Sequence, residues 1–472
     1  MPSPTQPKII RPTTIKTLVA AFIAIFLLAS IHAQASNLTT YKGKFSDGAT
    51  YLIEVPSNWN GTVVLYSHGY VVPGEYNPAM DVGDPVTGAY LLKNGYALAG
   101  SSYASTGWAV QQAFRDQMNV LDTFNTLVGK PKRTIAWGHS LGGIITAGLI
   151  QLHPTRFDAA LPMCGVLAGG VGTWNEALDS AFAFATLLGS GSGLQLVNIT
   201  DPNKNLDTAE TILNAAQNKA QGQARIALAA ALADIPGWFD PLSAEPAPTD
   251  YKTQQVNQFS WLQQSDFPFA FYLRAELESR AKGNPSWNTA IDYDKQLKQS
   301  TDYAEVQALY QSAGLNLDTD LQTLNQTARI AANQPSVTYL KENIVFNGQI
   351  HIPVLTLHTK GDGLVGVENE NAYEDVVNRE HDGSDLRQLF IHRAGHCTFT
   401  PAETVVAFNN LIDRLNTGNW PALDSHDLNI QAKALGSKYN VLLVNNKRVH
   451  DPPAYFKFTP AVFLRPYDTG KN

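Results

Sequence analysis

The chain has 472 residues, of which 44% are hydrophobic and 16% are charged, and its formal net charge at pH 7 is −7. A chain of this length and apolar content can bury a large core. The slight acidic balance and the lack of any run of Lys and Arg argue against nucleic acid as a partner.

The first 35 residues differ in character from the rest of the chain. A basic start precedes an apolar run of about 15 residues at 17–31, and the small residues Ala33 and Ala35 follow it. This pattern predicts a cleaved signal peptide at 1–35. The alternative is an uncleaved membrane anchor, but the apolar run is shorter than the roughly 20 residues that span a bilayer. We therefore expect a secreted or periplasmic protein with no stable membrane anchor after cleavage.

Strand and helix patterns alternate from residue 38 to residue 164. Alternating apolar and polar residues at 38–59 predict an antiparallel edge hairpin. The further predicted elements are strands at 62–66, 95–101, 135–139 and 158–163, and helices at 86–93, 108–128 and 144–152. Such alternation is typical of βαβ units in a mostly parallel sheet that helices cover on both faces.

The middle of the chain, from 167 to 349, has helical patterns almost throughout. The predicted elements are helices at 207–233, 267–282 and 302–313 and a short strand at 343–346. Asp207 and Glu210 have the spacing of a capping box and predict the start of the first of these helices. Aromatic residues concentrate in this stretch. Most are expected to form its own small core, and one or two to line a pocket.

Strand and helix patterns resume after this stretch. The predicted elements are strands at 351–358 and 386–392 and a helix at 368–378. A last helix is predicted from Pro401, with Thr400 as its N-cap and Glu403 as the reciprocal capping residue. The tail after Gly418 has some strand character at 439–444 and carries no motif.

The sequence Gly138-His139-Ser140-Leu141-Gly142 lies between a predicted strand and a predicted helix. Glycines on either side let the neighbouring chain approach closely, and the serine is left exposed at a helix N-terminus, where negative charge is favoured. G-x-S-x-G in this strand–turn–helix setting is a nucleophile elbow. We therefore predict that Ser140 is a nucleophile rather than only a turn residue.

A serine nucleophile needs a base that accepts its proton and a third group that orients the base. In this setting the order along the chain is serine, acid, histidine, each after a strand. Asp362 and His396 follow predicted strands in that order. The rival base is His392, which lies inside a predicted strand, and the fallback acids are Asp382 and Asp385.

These motifs resemble those of the α/β-hydrolase superfamily. The resemblance covers about 38–167 and 343–418, and its motifs are GHSLGG at 138–143, HG at 68–69, KGDGLV at 360–365 and AGHC at 394–397. It implies an α/β-hydrolase fold, with a mostly parallel sheet, helices on both faces and a large helical lid insertion. In this superfamily, an insertion after the sixth core strand typically covers the active site.

The resemblance also implies a role for each site residue. Ser140 would be the nucleophile, His396 the general base and then the general acid, and Asp362 the group that orients His396. The oxyanion hole would be formed by the backbone N–H groups of Tyr70 and Leu141. Such donors stabilise the charge that develops on the carbonyl oxygen in the transition state.

The only two cysteines, Cys164 and Cys397, then lie near the active face. Cys164 ends a predicted strand, and Cys397 directly follows the predicted catalytic histidine. A disulfide between them is expected in an oxidising compartment, and the alternative is two buried free thiols. Tannases and feruloyl esterases are similar in having a cysteine directly after the histidine. In them its partner directly precedes the serine, where this chain has His139.

The resemblance, together with the signal peptide pattern, divides the chain into five parts. The predicted parts are a signal peptide at 1–35, a first core part at 36–167, a helical lid at 168–345, a second core part at 346–418 and a C-terminal extension at 419–472. No role is predicted for the extension.

The predicted function is that of a secreted serine hydrolase, carboxylesterase or lipase-like, which cleaves a small-molecule or polymeric ester without a metal or organic cofactor. One alternative is an exopeptidase of prolyl or tripeptidyl type with the same triad. In that case Glu276 or Glu278 would bind the amino terminus of the substrate. Another alternative is a binding protein with a hydrolase fold and no catalysis.

Overall fold

A mixed nine-stranded sheet forms the centre of the protein. A computed structural model describes residues 38–444 and 447–467, so the predicted signal peptide at 1–35 lies outside the described residues. In chain order the strands are β1 Leu38–Lys44, β2 Thr50–Pro56, β3 Thr62–Ser67, β4 Ala97–Ser101, β5 Arg133–His139, β6 Ala159–Met163, β7 Val354–Gly361, β8 Leu386–Ala394, β9 Val441–Val444, β10 Lys447–His450 and β11 Tyr455–Phe456. The order across the main sheet is β1-β2-β4-β3-β5-β6-β7-β8-β11, and β9 and β10 form a separate hairpin.

The strand directions confirm the predicted fold class. β1 and β2 form the antiparallel edge hairpin, and β2 is antiparallel to β4. From β4 through β3, β5, β6 and β7 to β8 all neighbouring strands are parallel. β3 is buried along its whole length, as expected for a strand that helices cover on both faces.

Helices pack on both faces of this sheet. The flanking helices are α1 Pro85–Lys93, α2 Val110–Leu127, α3 Leu141–Leu152, α13 Glu368–Arg379, α14 Pro401–Thr417 and α15 Ser425–Ala434. Val63 and Leu65 of β3 point into one core with α2, α3 and α13, whereas Val64 and Tyr66 point into the other with α1, α14 and α15. The two-residue period of a strand gives each face its own apolar core.

Between β6 and β7 the chain forms a helical segment (169–342). Its helices are α4 Gly169–Leu187, α5 Pro202–Gln217, α6 Ala220–Ala231, α7 Tyr251–Trp261, α8 Arg274–Ala281, α9 Tyr293–Leu297, α10 Tyr303–Ala313, α11 Leu317–Gln326 and α12 Gln334–Glu342. The residues between α7 and α8 form two π-helical turns, Leu262–Asp266 and Pro268–Leu273. The helical segment has its own apolar core, which includes Trp261, Phe267 and Phe271, as expected for most of its aromatic residues.

Two local predictions in this part of the chain are wrong. The helix predicted at 207–233 is two helices, and the first begins after the N-cap Asp201, whose carboxylate accepts a hydrogen bond from the N–H of Lys204. The predicted capping pair, Asp207 and Glu210, lies inside that helix because Asp201 and Pro202 already define its start. No strand forms at 343–346. This short apolar stretch packs into the core as a loop, and Ile344 has a φ of 110° that interrupts extended structure.

The tail packs against the rest of the protein through several contacts, which include those of β11 and Arg465. β11 adds an antiparallel strand beside β8, and β9 includes most of the strand predicted at 439–444. Further on, the Arg465 guanidinium pairs with the buried carboxylate of Asp179 in the helical segment. In the part of the chain that the structure describes, no helix has the length and apolar character needed to cross a membrane.

Candidate active site

Ser140 lies on a sharp turn between β5 and α3. Its φ of 60° and ψ of −122° are unfavourable for a residue with a side chain, and the N–H of Ser140 donates to the carbonyl oxygen of Met163 at 3.0 Å. The turn is tight because the backbone of Gly142 lies against Ser67. A Cβ atom on Gly142 would lie 1.9 Å from the Ser67 carbonyl oxygen. The elbow predicted from the glycine spacing is therefore present.

Gly142→Ala is expected to destabilise the protein by about 3 kcal/mol, because the new methyl group overlaps backbone atoms that cannot rotate away. Thermal unfolding followed by circular dichroism measures this effect. Ser140→Ala is the control, since it changes the same turn without adding an atom and should unfold near the wild-type temperature. A wild-type midpoint for Gly142→Ala would contradict the close packing of this turn.

The structure brings the three residues of the predicted triad together. The Ser140 Oγ lies 2.8 Å from the His396 Nε2, and the His396 Nδ1 lies 2.7 Å from the Asp362 Oδ2. The three residues follow β5, β7 and β8, whose carboxyl ends lie at one edge of the parallel sheet, where α/β proteins bind ligands. This arrangement can move the hydroxyl proton of the serine to the imidazole.

Asp362 is fully buried and held by its own loop, the acid loop (362–365). Its Oδ1 accepts hydrogen bonds from the N–H groups of Leu364 and Val365 at 3.1 and 3.0 Å. Burial by itself raises the pKa of Asp362, but positive charge on His396 and His358 and the hydrogen bond from His396 lower it to about 2. The carboxylate is therefore ionised at neutral pH.

The rival residues lie in other contacts. The Nε2 of His392 lies 2.7 Å from the carboxylate of Glu245 in the helical segment. Asp382 accepts a hydrogen bond from the N–H of Ile350, which lies before β7, and Asp385 pairs with Arg414. None of these contacts includes Ser140 or His396.

The loop at 68–70, the oxyanion loop, packs against the serine. A Cβ atom on Gly69 would lie 3.4 Å from the Cβ of Ser140, so Tyr70 is one residue from this contact. Leu141 begins α3, and the first N–H groups of a helix have no acceptor within it. The His68 Nδ1 lies 2.8 Å from the Gly69 carbonyl oxygen, and burial lowers the pKa of His68 to about 4, so this side chain is neutral at pH 7.

The predicted disulfide is present. Cys164 and Cys397 are joined, with a Cα–Cα distance of 5.4 Å and a sequence separation of 233 residues. The Sγ of Cys397 lies 3.4 Å from the Nε2 of His396. The bridge thus connects the end of β6 to the loop that carries His396, and the alternative of two free thiols is wrong.

Sequence reasoning missed Arg393 as a support of the histidine loop (394–398). Its guanidinium is buried, donates to the Glu403 carboxylate at 2.8 and 3.1 Å and donates to the Thr398 carbonyl oxygen at 2.8 Å. Glu403 also completes the predicted capping box with Thr400. In the sequence, Glu403 belongs to a helix-capping motif and Arg393 lies at the end of a strand. Neither pattern indicates that these two side chains meet.

The last residue of α7 and the π-helical turns that follow it lie between the acid loop and the oxyanion loop. At the end of α7, Trp261 packs on Gly363, where a Cβ atom would lie 2.3 Å from the indole ring. At the other end, the Phe269 ring meets the Tyr70 ring edge-on, with centroids 5.1 Å apart. π-helical turns are rare and often lie at functional sites.

No group of three or more His, Cys, Asp or Glu side chains suited to a metal ion occurs within 38–444 and 447–467.

Comparisons with known proteins identify the family of this chain. The chain is 30% identical over 436 residues to an o-phthalyl amidase of Xanthobacter agilis, an overlap that covers 86% of this chain and 93% of the relative. The chain belongs to the family of this amidase, in the α/β-hydrolase superfamily. The prolyl oligopeptidase family matches residues 95–170 of the hydrolase, which include the serine elbow.

Two solved structures from Aspergillus oryzae are also similar to the hydrolase. An esterase aligns over 81% of this chain and 80% of its own, with a TM-score of 0.42 and 16% identity. Feruloyl esterase B aligns over 81% of this chain and 82% of its own, with a TM-score of 0.41 and 13% identity. The hydrolase is thus an enzyme of the serine hydrolase superfamily, by its membership in the amidase family.

Proposed function

We propose that the hydrolase cleaves carboxylic esters through an acyl-serine intermediate. The observation that carries this proposal is the continuous hydrogen-bonded chain from Ser140 through His396 to Asp362. The Ser140 Oγ attacks the carbonyl carbon of the ester, and the His396 Nε2 takes its proton. His396 then gives this proton to the leaving alkoxide. In the second half of the reaction, His396 takes a proton from water, which attacks the acyl carbon. His396 then returns this proton to the Ser140 Oγ as the acyl-serine bond breaks and the carboxylic acid leaves.

The negative charge on the carbonyl oxygen would be stabilised by the N–H groups of Tyr70 and Leu141. The packing of Gly69 against Ser140 supports this assignment, since it brings the oxyanion loop beside the nucleophile. Loss of one such donor typically costs a hundredfold or more in rate. The side chain of Tyr70 packs in the hydrolase core and also contacts Phe269 of the helical segment.

We further propose that residues 168–345 form a lid between the two core parts, 36–167 and 346–418. The contacts of Trp261 with the acid loop and of Phe269 with the oxyanion loop support this role. Phe269 and Tyr272 are only partly buried and pack against the core that lies under the oxyanion loop. These two rings are the candidates for the wall of an aromatic acyl pocket.

The second candidate function is cleavage of an amide bond. It is favoured by the relative from Xanthobacter agilis, whose name describes an o-phthalyl amidase. An exopeptidase is less well supported. Glu276 pairs with Arg280 and accepts the N–H of Trp108 at 3.0 Å, and one oxygen of Glu278 accepts the N–H of Ile199 at 3.1 Å. A carboxylate in such contacts is poorly placed to bind the amino terminus of a peptide.

A panel of chromogenic substrates tests the proposal. The panel contains p-nitrophenyl acetate, butyrate, octanoate and benzoate, together with the p-nitroanilides of benzoic and o-carboxybenzoic acid. We expect ester turnover, highest for an aromatic acyl group, that Ser140→Ala abolishes. Turnover of an anilide at a rate similar to that of its ester would favour the amidase. Lack of turnover together with lack of labelling by a fluorophosphonate probe would favour the non-catalytic alternative.

We propose that the hydrolase works outside the cytosol, in a secreted or periplasmic form. The disulfide between Cys164 and Cys397 supports this, because such bonds persist mainly in oxidising compartments. Cleavage after residue 35 is testable by N-terminal sequencing of the protein recovered from the medium or the periplasm of an expressing bacterium. An N-terminus that retains residues 1–35 would contradict cleavage.

A further inference from the structure

A second, fully buried histidine lies behind the proposed catalytic aspartate. His358 is in β7, and its Nε2 lies 3.6 Å from the Asp362 Oδ2 and 2.9 Å from the carbonyl oxygen of Val365. Its Nδ1 lies 3.0 Å from the Oε1 of Glu370, on α13. The imidazole therefore connects the acid loop to a helix that packs on the sheet.

The partners of His358 determine where its protons are. A carbonyl oxygen only accepts hydrogen bonds, so the Nε2 next to Val365 carries a proton. The Oε2 of Glu370 accepts hydrogen bonds from the Gln388 side-chain amide at 2.8 Å and from the Thr356 hydroxyl at 2.5 Å. Two donors on one oxygen favour the ionised carboxylate. The Nδ1 of His358 then donates to Glu370, and a histidine that donates from both nitrogens is an imidazolium.

The surrounding charges agree with this protonation state. Burial lowers the pKa of His358, but the charge of Asp362 and the charge and hydrogen bond of Glu370 outweigh burial and raise it to about 10. Two further carboxyl groups, Glu368 and Asp266, lie close enough to interact with this cluster, and burial raises the pKa of both. Without the charge on His358, Asp362 would have to stay ionised in a buried and largely acidic surrounding, which costs free energy.

We propose that His358, paired with Glu370, is a positioning residue for the catalytic triad. Its imidazolium keeps Asp362 ionised and fixes the acid loop, so that the Oδ2 of Asp362 stays directed at His396. The proposal rests on the proposed role of Asp362. His358 does not touch the serine and takes no part in the proton transfer itself.

Nitrogen NMR of the wild-type protein labelled with ¹⁵N-histidine is the first test. We expect both ring nitrogens of His358 to carry protons at pH 8, when an ordinary histidine is neutral. The resonances are assigned by their loss in His358→Gln, or by contacts to Thr356 and Val365 if that variant does not fold. A neutral His358 at pH 8, with one unprotonated nitrogen, would overturn the proposal.

The second test compares kcat of the wild type with that of the double variant His358→Gln with Glu370→Gln, which removes both charges of the pair together and leaves neither unpaired. We expect kcat of the double variant to be about tenfold lower at pH 8. The imidazolium loses its proton near pH 10. The ratio of the wild-type kcat to the double-variant kcat should therefore fall toward 1 as the pH rises through about 10. A purely structural role predicts a ratio that does not change with pH, and that result would contradict the proposal.

His351→Gln is the matched control, since His351 is exposed and lies seven positions earlier in the same stretch of chain. It should have wild-type kcat at every pH. Failure of the proposed function is distinguishable from failure of this inference. If Ser140→Ala kept its activity, the triad would be misassigned, whereas the NMR signals of His358 report its protonation without any turnover.

Discussion

Asp362→Asn is expected to lower kcat by about 10⁴-fold without unfolding the protein. The Oδ1 of residue 362 accepts the N–H groups of Leu364 and Val365, so the asparagine carbonyl oxygen will take that position. The amide nitrogen then faces the Nδ1 of His396, which must accept a hydrogen bond there. The proton of the neutral imidazole then lies on Nε2. A protonated Nε2 cannot accept the proton of Ser140.

The effect is measured as kcat on p-nitrophenyl acetate, beside a circular dichroism spectrum and an unfolding curve. Asp382→Asn and Asp385→Asn are matched controls. Both residues are aspartates that lie between Asp362 and His396 in the sequence, and their contacts include neither Ser140 nor His396. Each should keep kcat within about twofold of the wild-type value. Loss of activity in one of these controls instead of Asp362→Asn would identify a different acid and overturn the assignment of the triad.

Removal of the disulfide is expected to have the largest effect on stability. The bond between Cys164 and Cys397 closes a loop with a sequence separation of 233 residues, and the chain-entropy argument gives a loss of about 5 kcal/mol for a loop of this size. For a chain of this length, such a loss lowers the unfolding midpoint by roughly 5 °C. The variant to measure carries both Cys164→Ala and Cys397→Ala, so that no free thiol remains.

The same variant should also lose activity. The bridge holds Cys397, whose neighbour His396 must keep its Nε2 2.8 Å from the serine hydroxyl, and a shift of about 1 Å in such a contact costs on the order of a hundredfold in rate. Dithiothreitol should reproduce part of the loss in the wild type and have no effect on the double variant. Unchanged stability and kcat in the double variant would show that the histidine loop is held by Arg393 and Glu403 alone.

The features that the sequence predicted well depend on short stretches of chain. The elbow around Ser140, the capping box at Thr400 and the buried strands each follow from the spacing of a few neighbouring residues. The order of serine, acid and histidine could be predicted because each follows a strand, and parallel strands end at one edge of the sheet. The cysteine pair followed from the same argument.

Other features depend on which distant residues the fold brings together. The strand predicted at 343–346 had the right composition, but this stretch packs into the core as a loop. Asp201 and Pro202 begin a helix that was predicted to begin at the capping pair Asp207 and Glu210. β11 has only two residues, and it forms because β8 has an open edge beside it. No pattern within two residues indicates such a strand.

The sequence by itself determined the fold class, the nucleophile turn and the identity of the three residues that meet, because strand and helix periods and turn chemistry are local properties of the chain. The tertiary structure decided the environment of those residues. His358 and Glu370 are twelve positions apart on a strand and a helix, and Arg393 and Glu403 are ten apart on another strand and helix. Such pairs meet only because helices pack on the sheet at a particular register. Their energies depend on burial, which the spacing of residues along a chain does not encode.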